Sequence, residues 1–216
     1  MQKYNNDLAA YNTVKIIEAG FIHVPGMAQC HIKSFPGRFM TEMGYHWLCA
    51  LYRFFIKHRR SICRVAVDAD GKVVGLAVGG DPHIRDEFLR SALFRYPHLI
   101  FWKFLSKGLV RRVLLQELAG KLHRKHAAAH SSDTKAPSNV VRSGNLLSIC
   151  ILPGYKGTDV AGKLIESFQL ACAAEGYERL TLSVLSKNSL AVAFYKKNGW
   201  RQSGKSGESI RFCLDL

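Results

Sequence analysis

A chain of 216 residues with 48% hydrophobic and 22% charged residues has the make-up of a folded globular protein, which argues against disorder. Its formal net charge of +15 attracts anions, whether nucleic acid, anionic lipid or phosphorylated small molecules, without choosing among them. The polar start Met1-Gln2-Lys3-Tyr4-Asn5-Asn6-Asp7 is unlike a signal peptide, and no uninterrupted apolar run reaches the roughly 18 residues of a membrane span. The cysteines Cys30, Cys49, Cys63, Cys150, Cys172 and Cys213 form no Cys-x-x-Cys pair, so free thiols in a reducing cytoplasm are expected.

In chain order, residues 13–18 read as a short first strand. Val24, Met27, Ala28 and Ile32 recur at helical spacing and predict a helix over 24–34, stopped before Pro36. The apolar stretch 39–56 places Met43, Trp47, Leu48, Leu51, Tyr52 and Phe55 on one face and predicts a second helix. Residues 62–67 and 73–78 flank Asp68-Ala69-Asp70-Gly71-Lys72, a hairpin whose Asp-Gly step supplies the positive φ that tight turns need. Residues 81–143 contain no strand pattern; 85–94 and 98–126 read as helices and 131–143 as a polar loop, which together suggest an insertion on a smaller fold.

From Asn145 the pattern tightens. Residues 146–152 form a near-continuous apolar run, expected of a strand buried on both faces, and Pro153-Gly154 ends it. Val160, Ala161, Leu164, Ile165, Phe168 and Cys172 mark an amphipathic helix ending near Gly176. Residues 180–184 alternate as a strand, Asn188 can cap a helix running through Tyr195 with Gly199 as its stop, and 209–214 read as a last strand.

A glycine-bearing turn between a strand and a helix N-terminus presents free backbone N–H groups and the positive end of the helix dipole, a combination that binds phosphate or pyrophosphate. Residues 153–163 form such a turn, although a glycine there also serves purely steric ends. His123, His126 and His130 have zinc-compatible spacing, but Arg124 and Lys125 repel a cation and no metal is expected. The segment 98–126 mixes Phe101, Trp102 and Leu105 with Lys103, Lys107 and Arg111. It reads first as a packed helix with a solvated basic face and second as a peripheral membrane contact. No nucleic-acid-binding motif accompanies the charge.

Asn188-Ser189-Leu190-Ala191-Val192-Ala193-Phe194-Tyr195-Lys196-Lys197-Asn198-Gly199-Trp200 resembles the second signature of the GNAT acetyltransferase superfamily: an Asn opening the helix, a Phe-Tyr pair near its end, then Gly and an aromatic. Beside it, the glycine turn lines up with that family's acyl-coenzyme A pyrophosphate loop. Lys156 stands for the family's Gln or Arg, and Gly157 and Thr158 follow. Asp159 occupies a glycine position, and Ala161 fits the final Gly or Ala. The Asp159 charge would cost roughly 2–3 kcal/mol per like-charge contact at about 6 Å and an effective dielectric near 20. The side chain could instead turn away and cap the helix, or Thr158 and Lys163 could offset it.

The resemblance implies one α/β domain over 1–216. It would have a mixed, strongly twisted central sheet, helices on both faces, and 81–143 as a helical insertion between strands three and four. It implies direct transfer from acetyl-coenzyme A to a primary amine. The backbone of Ile149, Cys150, Ile151 and Leu152 would hold the pantetheine arm, with the Leu152 amide as oxyanion donor. Lys156, Gly157, Thr158, Asp159, Val160, Ala161 and Gly162 would receive the pyrophosphate. Asn188, Ala191 and Tyr195 would meet the cofactor, and Tyr195 would protonate the leaving thiolate, an effect typically worth ~10²–10⁴-fold. Glu42, Asp81 and His83 are the base candidates, each of a type also common as a surface or capping residue. The segment 34–44 is similar to one in GNAT proteins linked to bacterial surface-polysaccharide synthesis. That similarity implies an amino sugar acceptor, including an anionic nucleotide sugar that suits the basic charge. A protein or peptide amine acetyltransferase and a non-catalytic acyl-coenzyme A sensor, with Asp159 marking lost turnover, are the rival readings.

Overall fold

A computed structural model of the protein describes residues 14–96 and 141–216. The expected hairpin forms its middle. Strands β2 (Ser61–Val67) and β3 (Val73–Gly80) pair antiparallel, with Val67 opposite Val73. Asp68 organises the turn: its Oδ1 accepts from the amides of Lys72 (2.9 Å) and Asp70 (3.2 Å). All eight residues of β3 are buried. Val74, Leu76 and Val78 enter the core on one face while Ala77 enters the core on the other, as period-2 alternation requires.

Strand β1 (Lys15–Glu18) adds to the outer edge of β2, and β4 (Ser143–Ile151) adds to β3. Beyond them come β5 (Arg179–Leu185), β6 (Arg201–Ser206) and β7 (Ser209–Asp215), giving the order β1-β2-β3-β4-β5-β7-β6. Only β4 and β5 run parallel, so the sheet is mixed, as expected. Strand β6 has no counterpart in the sequence reading. Its run Arg-Gln-Ser-Gly-Lys-Ser is exposed at all but Gly204 and shows no apolar alternation, and backbone pairing with β7 alone makes it a strand.

Helix α1 (Val24–Ser34) has the expected bounds and carries Pro25 in its first turn, where the missing N–H costs nothing. The single helix expected over 39–56 is two: α2 (Phe39–Met43) and α3 (Tyr45–Lys57). Gly44 separates them at φ 95°, ψ 175°, a conformation open to glycine almost alone. The apolar stripe Trp47, Leu48, Leu51, Tyr52 and Phe55 belongs to α3. Helix α4 (Ile84–Arg95) matches the helix expected at the start of the insertion, and Arg60 anchors it through Asp81 (2.7 Å) and Glu87 (2.5 Å). The helix expected over 98–126, with the candidate membrane contact and His123, His126 and His130, lies outside the described residues.

Helices α1 to α4 cover one face of the sheet, where Met27, Leu48, Tyr52, Val65 and Leu76 share a core. Helix α5 (Val160–Ala174) covers the other with Leu164, Ile165, Phe168 and Cys172, all at most 1% exposed, against Ala77, Leu146 and Leu180. Each large side chain so buried contributes about 1.5–3 kcal/mol. Helix α6 (Ser189–Lys197) follows β5. Among the described residues no helix is long and apolar enough to cross a membrane.

Replacing Gly44 by Ala forces a β-carbon into the α2–α3 break and is expected to lower stability by about 1–3 kcal/mol. Urea unfolding measures it, and an unchanged midpoint would show that the break tolerates a side chain.

Candidate active site

The parallel pair β4–β5 is short. Ser143, Gly144 and Asn145 pair with Arg179, Leu180 and Thr181, and the ladder then stops. Strand β5 keeps its other neighbour, β7, along its whole length, and β4 keeps β3. From Leu146 to Ile151, therefore, one edge of β4 has no strand against it among the described residues. A bulge falls where the strands part: Gly79 pairs with Leu146 and Val78 with Ser148, leaving Leu147 unmatched. The parting also explains why Leu147, Ser148, Ile149 and Ile151 are only half-buried, although their apolar run predicts a fully covered strand.

The direction of each β4 backbone group follows from one hydrogen bond. The Leu152 N–H donates to the Val74 carbonyl at 2.8 Å, toward β3. Antiparallel alternation then turns Cys150 and Ser148 toward β3 as well, and Ile149 and Ile151 toward the open edge. Ile149 and Ile151 thus present backbone to the gap, while Cys150 presents none and buries its thiol 4.0 Å from that of Cys30. The expectation for Leu152 is corrected: its amide is committed to the sheet, because the β3 pairing runs one residue past the strand, and it has no N–H to offer an oxyanion.

At the end of β4, Pro153–Tyr155 make one turn of 3-10 helix, with Tyr155 N–H bonded to Leu152 O (2.9 Å) and Lys156 N–H to Pro153 O (3.2 Å). Thr158 folds back, its hydroxyl donating to Tyr155 O at 2.7 Å. Gly157 has φ 84°, which favours glycine. The amides of Gly157, Asp159, Ala161 and Gly162 have no partner among the described residues. These open donors lie at the N-terminus of α5 beside Lys156 and Lys163, a fit for a diphosphate. Asp159, at the N-cap, makes no cap hydrogen bond; its carboxylate pairs with Lys163 Nζ at 2.6 Å. The expected capping by this side chain does not occur; Lys163, one of the two residues expected to offset its charge, pairs with it.

Helix α6 follows β5, the strand that parts from β4. Asn188 caps it, its Oδ1 accepting from Ala191 N–H at 3.2 Å, so the side-chain oxygen is committed to the helix and Ala191 is half-buried behind it. Tyr195 is 9% exposed, its ring against Trp200 (5.9 Å) and Phe212 (6.0 Å). Burial pushes its phenol up to about 12. No group among the described residues bonds its hydroxyl. Tyr195 lies in the same buried cluster as Leu146, and Ile149 and Ile151 pack against that cluster.

The base candidates are scattered. Asp81 is held by Arg60 and accepts from the His83 amide at 2.8 Å. His83 is exposed at the start of α4. Both follow Gly80, which pairs with Asn145. Leu152 is seven residues further along β4, roughly 23 Å at strand rise. The structure therefore does not join Asp81 and His83 to the glycine turn. Glu42 is half-buried on α2.

Sequence reasoning missed three groups on α1, two of which touch β4. The Ser34 hydroxyl, at the end of α1, donates to the Ile151 carbonyl at 3.0 Å. Cys30, one turn earlier, meets Cys150. His31 is 6% exposed, with Nδ1 2.7 Å from the Tyr52 hydroxyl, and burial pushes its imidazole down to about 4. The helical spacing of residues 30, 31 and 34 was readable; their partners, about 20 to 120 positions away, were not.

Residues 104–212, half of the chain, match the family described as acetyltransferase (GNAT) domain. Comparison with curated proteins finds no match. Among solved structures, a GCN5-related N-acetyltransferase from Kribbella flavida is similar at 14% identity with a TM-score of 0.58, over 95% of this chain and 99% of that one. PaiA N-acetyltransferase from Thermoplasma acidophilum, in complex with coenzyme A, is similar at 11% identity and TM-score 0.53, over 94% and 99%. An aminoglycoside N-acetyltransferase in complex with coenzyme A is similar at 12% identity and TM-score 0.58, over 89% and 91%. At these identities the likeness is one of fold.

Because the folded imidazole of His31 titrates near 4 rather than 6.5, the unfolded chain binds the extra proton between those values. The associated stability is complete above about pH 6.5 and is lost as pH falls toward 4, by about 2–3 kcal/mol at pH 4.5. His31→Gln keeps a hydrogen-bond partner for Tyr52 and should flatten that part of the acid slope in urea unfolding. An identical slope in both proteins would assign the acid sensitivity elsewhere.

Proposed function

Since the chain belongs to the GNAT acetyltransferase family, an acyltransferase family that uses acetyl-coenzyme A, we propose that it acetylates a primary amine carried by an amino sugar, including a nucleotide-linked one. The observation that carries the site is the parting of β4 from β5 after three residue pairs, beside a turn with four amides unpartnered among the described residues. Acetyl-coenzyme A supplies the activated thioester. The amides of Gly157, Asp159, Ala161 and Gly162, with Lys156 alongside, would hold its diphosphate. The backbone of Ile149 and Ile151 would pair with the amides of the pantetheine arm as a neighbouring strand would. An amide near the Leu147 bulge, where the gap begins, would take the oxyanion role that Leu152 cannot fill.

Tyr195 is the proposed acid. Burial keeps it protonated: at pH 10, where an ordinary tyrosine is half ionised, about 1% of it is ionised. A phenol titrating near 12 is a weaker acid than a thiol near 8.5, so full proton transfer to the thiolate is uphill. Hydrogen-bond donation to the departing sulfur would carry most of its effect. Glu42, on the helix that follows α1, and Asp81 and His83, next to Gly80 and so at the Asn145 end of β4 where the Leu147 bulge lies, are the base candidates.

The amino sugar acceptor is supported by the likeness of residues 34–44 to polysaccharide-linked members of the family and by the +15 net charge, which suits a phosphorylated acceptor. A thiol-release assay with acetyl-coenzyme A across amino sugars, nucleotide amino sugars and lysine peptides tests it. Turnover only on peptides would overturn the acceptor class, and tight coenzyme A binding with no turnover on any amine would favour the sensor reading. Tyr195→Phe is expected to lower kcat by ~10²–10⁴-fold with coenzyme A affinity nearly unchanged. An equal loss of both would remove the acid role.

A further inference from the structure

Strands β5 and β7 have two unlike faces. Leu180, Leu182, Ile210 and Phe212 are buried in the core under α5. Alternation sends Thr181 and Ser183, and opposite them Cys213 and Arg211, to the other face. That is also the face of Ser148, which pairs with Val78 of the core under α1 to α4. This second core draws on β2, β3 and β4 and includes nothing from β5, β6 or β7 among the described residues. On the β5 side of the gap the sheet therefore presents a polar surface, where Ser183 and Arg211 are exposed.

The cations of this surface are not equivalent. Arg179 donates to Asp215 at 2.6 Å, and Arg201 donates to the other oxygen of the same carboxylate. Arg211 has no carboxylate partner among the described residues. It stands directly opposite Ser183, with β-carbons about 4.5–5.5 Å apart. Ser183 lies two residues past Thr181, the last residue of β5 paired with β4, and so is level with the Leu147 bulge. Asp81 and His83 follow Gly80 at that same end of β4.

We infer that Arg211 is the residue that selects a phosphorylated acceptor, its guanidinium holding the phosphate while the amine reaches the gap at the Leu147 bulge. The inference rests on the reading of the gap as the acetyl-transfer site and gives the amino sugar proposal a specificity residue. The α5 face cannot take such a substrate. Ile149 and Ile151 pack there against the cluster of Tyr195 and Trp200, and a polyol set among them would lose its hydrogen bonds to water without replacement. On the other face Ser148 stands on β4 and Ser183 on β5, two hydroxyls that can donate to or accept from a sugar ring. A nucleotide-linked amino sugar carries its first phosphate across the ring from the amine. A guanidinium not already held by a carboxylate meets that phosphate with two parallel N–H donors.

The test is calorimetric titration of uridine diphosphate into the full chain saturated with coenzyme A, so that the turn after β4 is already filled. Arg211→Gln is expected to weaken binding by roughly 10–100-fold, the size of a lost pair of charge-assisted hydrogen bonds. Arg211→Lys keeps the charge without the fork and should fall between the two. Arg201→Gln removes an arginine committed to Asp215 and should cost less than about threefold. With a nucleotide-linked amino sugar and the matching uncharged sugar as acceptors, Arg211→Gln should lower the ratio of their kcat/KM values by about tenfold or more, chiefly through the KM of the nucleotide sugar. Equal losses in Arg201→Gln and Arg211→Gln would assign the effect to general surface charge and overturn the inference. Binding by Arg211→Gln as tight as by the wild type would overturn it as well.

The underlying reading fails in a different way. If coenzyme A does not bind the wild type, the acetyl-transfer site falls, and this inference with it. If coenzyme A binds and uridine diphosphate does not, that site stands and only the role of Arg211 falls.

Discussion

A strand edge inside a sheet must find partners for its N–H and C=O groups, and among the described residues one edge of β4 finds a neighbouring strand for only three residue pairs. Strand β5 is drawn away from β4 because its whole length is paired with β7, while β4 is held over the rest of its length by β3. The two neighbours pull in divergent directions as the sheet twists, and the gap between them is the result. The backbone of Ile149 and Ile151 faces that gap, and an extended chain with amides of its own, such as the pantetheine of coenzyme A, meets the same need as a missing strand.

The surroundings of the gap are organised by the same constraint. The turn after β4 cannot continue as strand past Pro153, and Gly157 reverses it so that α5 begins with its open amides at the mouth. On α6, Tyr195 packs among Trp200 and Phe212, its hydroxyl left without a bonded neighbour among the described residues. On the opposite face α1 approaches β4 closely enough for Ser34 to bond the Ile151 carbonyl. Charge is arranged as economically: the one acidic side chain in the turn is matched by a lysine a helical turn away.

Much of this was legible in the chain. The stripes that make α1, α3 and α5, the Asp-Gly hairpin, and the glycine turn before Val160 all follow local rules of period and turn chemistry. The two corrections to the helices and strands have local causes that a pattern search passes over. The stripe running from Met43 to Phe55 hides a break because Gly44 costs the periodicity nothing. Strand β6 shows no pattern because it is an exposed edge that buries nothing.

By itself the sequence determined most of the segments that form elements, that a helix N-terminus follows a glycine turn, and, through the residues from Asn188 to Trp200, which family the chain resembles. Those are properties of neighbours a few positions apart, where spacing and side-chain type decide the outcome. Only the tertiary structure decided that β4 and β5 separate after Asn145, that the Leu152 amide belongs to Val74, that Asp159 turns to Lys163 rather than capping its helix, and that Asp81 and His83 follow Gly80 at the Asn145 end of β4. Each of these depends on which of several available partners a backbone or side-chain group takes. That choice is a competition between geometries set by strands and helices far apart in the chain.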